Sequence, residues 1–409
     1  MTPANLSRYL RPQRWIRYDA AAIMDPLIAA KTAAGILLGL PYLPQWIAQV
    51  HEEQLRLEAV GTSRIEGAEF SQREQDEALA PESATRHDLT HSQRQLRAAE
   101  ATYRWLRSQP SDRPVDDEFI LDVHRRFVTG CDDDNCEPGA LRPTGWNVTF
   151  GAPQCRGVEG GSDCRVAFDA LCNAVAGEFR QHDRLIQAMA LHYHIGAMHP
   201  FGDGNGRTAR ALEAFMLRQA GVNELVMVSL SNYYHEHKEA YLSALSASRR
   251  GEHDLTPFLV FAMSAVTQQC GAVANTIIDN HKRTLFRQFA VALFGRLRTP
   301  RRRVLVERQL AMLESLLEAG ASDPIDLMDR TASHYNTLKF PARAQIRDII
   351  DLFDLGALRI NDDGIKVNLD WPQQVSESEL IERLERATSA ASTNRPGMAN
   401  LQDLLNRRL

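Results

Sequence analysis

The sequence predicts a mainly α protein of more than one domain, and three observations carry the prediction. Apolar residues recur at helical spacing over long stretches, as in Phe119, Ile120, Val123 and Phe127, then Ile186, Met189, Ala190, Tyr193 and Ala197. Breaker clusters at 109–114, 130–164, 298–300 and 389–397 cut these stretches apart. Period-two alternation is confined to Trp146–Phe150 and to two short runs flanking Asn361–Gly364.

The 409 residues amount to two or three domains at about 150 residues each. Taken in order, 1–115 reads as an N-terminal helical region, 116–265 as a helical core, and 266–300 as a helical connector. A smaller domain follows over 301–372, then a helical tail over 373–409. Hydrophobic residues make up 44% and charged residues 24%, which excludes a disordered or collagen-like chain. A net charge of −5 excludes a global basic field that would draw the chain to nucleic acid or anionic lipid. The most apolar stretch, 20–43, is interrupted by Asp25, Pro26, Lys31 and Pro41, so no segment is expected to reach the roughly 20 apolar residues of a bilayer span. The first residues carry arginines but no apolar secretory core, which makes the cytoplasm the expected compartment, with no membrane partner.

Six cysteines are too few for a disulfide scaffold in a chain of this length. Cys131, Cys136, Cys155 and Cys164 cluster, but without a C-x2-C knuckle or an intervening histidine. They read as reduced thiols ahead of a structural zinc site.

The chemistry is concentrated in His199-Pro-Phe-Gly-Asp-Gly-Asn-Gly-Arg-Thr-Ala-Arg210, a loop feeding a helix. Gly204, Asn205 and Gly206 can aim successive backbone N–H groups at one point, and the following helix adds its positive end; this is an anion site suited to phosphate. Arg207 and Arg210, one turn apart, are expected on the same face as fixed positive charge. Asp203 supplies a hard oxygen for Mg²⁺. His199 titrates near neutrality and can take a proton from a hydroxyl. Phe201 is expected to anchor the loop in the core. A base, a metal carboxylate, an anion nest and two arginines within one short loop point to phosphoryl or nucleotidyl transfer.

This stretch matches, at every defined position, the signature HPFx(D/E)GN(G/K)RxxR, and the chain resembles the Fic family. Gly139–Arg142 and the strand 146–150 resemble the stretch leading into that family's target-docking β-hairpin flap. The resemblance implies a Fic helical core with this flap. It further implies ATP as substrate with Mg²⁺ on Asp203, and nucleotide contacts from Glu66, His199, Gly204, Asn205, Gly206, Arg207, Thr208, Ala209, Arg210 and Tyr241. The implied activity is adenylylation: a Ser, Thr or Tyr hydroxyl of a target protein, this chain itself among the candidates, attacks the α-phosphate while His199 takes its proton. Upstream, Thr62, Glu66 and Gly67 fit the family's inhibitory pattern (S/T)xxxE(G/N). Glu66 is expected to form a bidentate pair with Arg210 in the place meant for the γ-phosphate. Removal of AMP from modified proteins stands as an alternative within the same class.

The C-terminal part reads as helices at 304–319, 323–331 and 341–354, then Ala357–Ile360, a turn at Asn361–Gly364, and Ile365–Leu369. The Asp-Gly turn between alternating runs signals a hairpin. Three helices and a hairpin are the order of a winged helix-turn-helix. Arg296, Arg298, Arg301, Arg302, Arg303 and Arg308 are available to phosphates, yet the second helix of the motif carries Asp348, Asp351 and Asp354 beside Arg343 and Arg347. Those acids favour a protein-contact or homodimer role over DNA. A DNA-binding regulator with a nucleotide-sensing Fic domain is the competing class, and an intact His199 favours the enzyme.

Overall fold

The computed structural model describes residues 14–80, 89–132, 134–151, 154–250, 252–296, 302–374 and 379. The chain forms two compact units, Met1–Ile277 and Ile278–Leu409, each with its own apolar core. The expected tail over 373–409 lies almost wholly outside the described residues, as do Arg298 and Arg301.

In the first unit, α1 (Ala20–Gly39) starts at Asp19, whose carboxylate accepts from the Ala21 and Ala22 N–H groups. Asp25 and Pro26 lie inside this helix instead of breaking it. A single internal proline removes one backbone hydrogen bond, and the flanking alanine-rich turns carry the helix across it. By length and composition alone, α1 and the much later α11 (Thr256–Gly295) are therefore long and apolar enough to cross a membrane, contrary to the expectation from the linear sequence. Half of the apolar window of α11 is buried within the protein, against 22% for α1.

Helix α2 (Pro44–Ile65) opens with proline at its first turn and stops at Glu66, because Gly67 takes a positive φ of 97°. Helices α3 (Gln72–Leu79) and α4 (His91–Ser108) begin with capping boxes, Ser71 with Glu74 and Thr90 with Gln93. Next come α5 (Asp117–Val128), a two-stranded antiparallel hairpin, and α6 (Ser162–Ala176). The hairpin is shorter than the alternation predicts: β1 is only Thr149–Phe150, paired with β2, Cys155–Arg156. Pro143 and the glycine-rich neighbourhood hold 143–146 in a turn, with Trp146 N–H donating to the Pro143 carbonyl.

Helices α7 (Arg184–Met198) and α8 (Asn205–Gln219) form the central pair, followed by α9 (Leu230–Glu236), α10 (Lys238–Arg250) and α11. Helix α2 packs on α4 and α9, and α5 packs on α8. The apolar core runs without a break from Trp15 to Ile277, so 1–115 and 116–265 share one interior. Phe119, Phe127, Phe168 and Phe201 are fully buried in it, each contributing about 1.5–3 kcal/mol of transfer free energy.

The second unit contains α12 (Arg302–Ala319), α13 (Pro324–Thr331), α14 (Pro341–Asp354) and the hairpin β3 (Leu358–Asn361) with β4 (Gly364–Val367). Ser322 bridges to Ile365 and adds a third extended segment beside the hairpin. This is the element order expected of a winged helix-turn-helix. Tyr335, Ile349, Leu352 and Trp371 fill the core. Arg308 is buried here, against Asp348 and over the Tyr335 ring, and so is withdrawn from the arginine run expected to face phosphates.

Candidate active site

The loop between α7 and α8 is shaped by three devices. His199 ends α7 in the left-handed region, φ 53° and ψ 61°, unusual for a residue with a Cβ and a common mark of functional loops. Arg142, itself buried, fixes that turn by donating from Nε to the His199 carbonyl at 2.8 Å. Asn205 staples the loop shut: its side chain accepts from Phe201 N–H and donates to Phe201 O, both at 2.9 Å. Phe201 is in the core as expected, stacked on His124 at 3.8 Å between centroids. Gly204 takes φ +71°, and a side chain there would strike Val128.

These residues line a cavity of about 340 Å³ whose wall includes Glu66, Phe150, His199, Asp203, Gly206, Arg210 and Tyr241. His199 Nδ1 lies 2.8 Å from the Gly196 carbonyl. A carbonyl only accepts, so Nδ1 carries the hydrogen and Nε2 keeps its lone pair. The ring stacks on Phe150 of β1 at 3.8 Å and 4°. Burial lowers the His199 pKa to about 4, the Gly196 bond and the Glu66 charge opposing the shift, so the ring is neutral at pH 7.

Glu66 reaches Arg210 through one contact, Oε1 to Nη2 at 2.5 Å. The pair is not bidentate: Arg210 spends Nε on the Thr62 hydroxyl at 2.8 Å and also donates from Nη2 to the Thr62 carbonyl. Thr62 and Glu66, one helical turn apart on α2, thus grip a guanidinium that is only 2% exposed. Burial works to raise the Glu66 pKa, but the charge and hydrogen bond of Arg210, with Arg207 and His199, outweigh it and hold the carboxyl below its ordinary value. A Cβ built on Gly206 would lie 2.2 Å from Glu66 Oε1, so the carboxylate rests directly on the first turn of α8. Lys238 fastens the end of α2 by donating to the Ile65 carbonyl at 2.7 Å.

Arg207 does not share the face of Arg210. It is buried, 2.6 Å from Asp132 Oδ2 and 3.2 Å from Asp203 Oδ1, and neither it nor the Thr208 and Ala209 side chains line the cavity. Sixty degrees on the helical wheel, with long side chains, is enough to send the two arginines to different partners. Asp203 has one oxygen occupied, Oδ1 accepting from Gly204 N–H and Arg207, while Oδ2 has no protein partner among the described residues. With its side chain 36% exposed on the cavity wall, Asp203 fits a hard divalent cation that keeps several waters. Tyr241 is buried at the wall, its hydroxyl 2.9 Å from His192 Nε2, while His192 Nδ1 meets Glu213 at 2.9 Å.

The linear sequence left several of these partners unread: Thr62 gripping Arg210 directly, Asp132, His124, Arg142, Phe150 and Lys238. For Asp132 the nearest signal is its place between Gly130 and Gly139 in a breaker-rich run; His124, inside α5, has no such signal. The four cysteines singled out do not converge; Cys136 and Cys164 are buried, their sulfurs against the Asp132 and Pro200 carbonyls, and no group of three or more metal-binding side chains occurs among the described residues. A larger cleft of about 970 Å³ is lined by Arg107, Arg184 and Arg218. Arg184 caps the Gln219 carbonyl and Arg218 those of Leu106 and Arg107, which assigns them to the negative ends of α8 and α4.

Residues 114–217, which span α5, the hairpin, α7 and nearly all of α8, match the model of the Fic/DOC family. Over this stretch the chain is similar to a Fic domain. Two curated relatives carry the name protein adenylyltransferase Fic. That of Culex quinquefasciatus is 32% identical over 142 residues, 35% of this chain and 26% of that protein, and that of Aedes aegypti is 30% identical over 145 residues with the same coverage. The match therefore spans about a quarter of the length of these relatives. Among solved structures, Fic-1 from C. elegans superposes with a TM-score of 0.53 at 18% identity, covering 64% of this chain and 74% of that one. A Fic family protein from Desulfovibrio desulfuricans G20 gives 0.54 at 18% identity, covering 80% and 91%. These likenesses show that residues 114–217 have the Fic fold, and that the fold extends into helices outside them.

Proposed function

We propose that the chain is a protein adenylyltransferase that moves AMP from ATP to a Ser, Thr or Tyr hydroxyl of a target protein, itself included, and that Glu66 restrains it. The observation that carries the reading is the Glu66 carboxylate resting on Arg210 and on the first turn of α8, with the His199 ring in the same cavity. An internal carboxylate held in an anion site is what a tethered competitor of a phosphate group looks like.

In the reaction the acceptor oxygen forms a bond to the α-phosphorus of ATP and the bond from that phosphorus to the bridging oxygen of the β-phosphate breaks. Pyrophosphate leaves, and the acceptor proton passes to His199 Nε2, which the Gly196 bond keeps free. Backbone N–H groups of Asn205 and Gly206 donate to phosphate oxygens at the N-terminus of α8, that of Gly204 being already engaged by Asp203 Oδ1. Arg210 meets the γ-phosphate once Glu66 withdraws. Mg²⁺, when bound, is held by Asp203 and neutralises phosphate charge. Phe150 stacks on the His199 ring and limits its rotation, and Tyr241 forms the wall beside the nucleotide. The names of the curated relatives support the same chemistry.

The test is incubation with α-labelled ATP and a cell lysate, followed by mass spectrometry of the labelled proteins. Label is expected on target side-chain hydroxyls, strongly with Glu66→Gly and not with His199→Ala. Absence of AMP-modified protein with Glu66→Gly would overturn the proposal.

A further inference from the structure

Of the three acidic residues of α14 that weigh against nucleic acid in the linear sequence, Asp348 and Asp351 turn out to be inside and Asp354 is half-buried. Asp348 is fully buried, 3.2 Å from Arg308 Nε and accepting from the Tyr335 hydroxyl at 2.9 Å, and Asp351 is 7% exposed. What α14 shows to solvent is its other face. From Arg330 to Arg347 the chain contains no Asp or Glu, but has Arg330, Lys339, Arg343 and Arg347 as permanent cations. All four are exposed, and Ser333, Asn336 and Thr337 between them are exposed too.

We propose that this helix-turn-helix face, the turn after α13 and the N-terminal half of α14, binds duplex DNA. The second helix of such a pair enters the major groove by its N-terminal residues while the flanking turn meets the backbone. Here the free backbone N–H groups and Arg343 stand at the start of α14, and Lys339 lies in the preceding turn. Lys339 and Arg343 have no carboxylate partner among the described residues and flank the exposed Phe340 ring at 5.5 and 5.4 Å. Cations lacking a carboxylate partner, interleaved with hydroxyl and amide side chains, complement a phosphate backbone and the hydrogen-bonding edges of bases. The Asn361–Gly364 turn carries Asp362 and Asp363, so the hairpin tip stays off the phosphates. The footprint is then small, about three or four phosphates, and binding is salt-sensitive with a slope of log K against log salt near −3.

The experiment is fluorescence anisotropy of a labelled mixed-sequence DNA duplex titrated with the full chain over a range of salt. Lys339→Glu combined with Arg343→Glu should weaken binding and flatten the salt slope by about two, while Arg343→Lys, which keeps the charge, should bind nearly as the parent. If the double variant folds poorly by circular dichroism, Arg343→Gln makes the same comparison. Absence of salt-dependent binding by the parent chain overturns the proposal. So does a reversal variant that binds DNA as the parent does but changes its mass in light scattering, which would mark the face as a protein contact.

Discussion

Replacing Glu66 by glycine removes the carboxylate and leaves the rest of α2 in place, since Glu66 already lies at the helix end beside Gly67. The group lost is one charge-assisted hydrogen bond to Arg210 at 2.5 Å. Such bonds contribute about 1.5–3 kcal/mol. If a γ-phosphate must displace that bond to reach Arg210, its loss raises AMP transfer by about 10- to 150-fold, each 1.36 kcal/mol being a factor of ten. Correct alignment of the α-phosphate adds to this figure, because misplacement by about 1 Å can cost 10²-fold. The same change has a stability cost. Arg210 is 2% exposed and loses its one carboxylate partner while keeping its Thr62 contacts, so the nucleotide-free variant loses about 1–3 kcal/mol. At about 2–4 °C per kcal/mol for a unit of this size, its melting temperature falls by several degrees. ATP, which returns an anion to Arg210, should restore most of the loss. The assay is autoadenylylation with α-labelled ATP, paired with thermal denaturation with and without nucleotide. A lower melting temperature with no gain in AMP transfer over wild type would show that Glu66 is only a structural partner of Arg210, and the competition argument would fall.

His199→Ala should lower transfer by about 10²–10⁴ while leaving ATP affinity by calorimetry within a few-fold, since Nε2 acts on the acceptor. Because burial lowers the His199 pKa to about 4, the neutral base is fully present at pH 6, and the acid limb of kcat/KM for Glu66→Gly should lie near or below pH 4; a limb centred near 6.5 would contradict the buried, neutral ring. Asp203→Ala should abolish the Mg²⁺-dependent tightening of ATP binding, measured by titration with and without the metal. Arg207→Met should act on stability, leaving Asp132 buried without its cation at a cost of about 3–5 kcal/mol, read as a large fall in melting temperature that ATP does not repair.

The loop from His199 to Arg210 was readable in the sequence because its parts are contiguous and each residue type has a narrow chemical use. Glu66 was readable only through its short pattern, and its geometry was not: the spacing says that a carboxylate follows Thr62 by one turn, but not that Thr62 occupies the Nε of Arg210 and leaves Glu66 a single contact. Arg207 misled because helical spacing gives an angle and no partner; the partner, Asp132, is 75 residues away in a run whose turns offer no periodicity to read. The acids of α14 misled for the opposite reason. Their spacing, Asp348 and Asp351 with Ile349, Leu352 and Phe353, places them on the inward face, and at Asp348 the buried Arg308 with the Tyr335 hydroxyl and Arg347 explains why charge is tolerated there. Pro26 shows that a breaker in the sequence is a local tendency, overruled where the surrounding turns are strong helix formers.

The restraint on Arg210 hangs from the last turn of α2, fastened by Lys238 at the Ile65 carbonyl. Helix ends open far more readily than helix middles. If unwinding that turn costs about 2–3 kcal/mol, roughly 0.6–3% of molecules are unrestrained at any moment. Under the proposed function the restraint has an intrinsic leak, and basal output is set by how tightly one turn is tied down. Any ligand or substitution acting on Lys238 or on the end of α2 would turn that output up or down continuously, as a rheostat does, without any rearrangement of the catalytic loop.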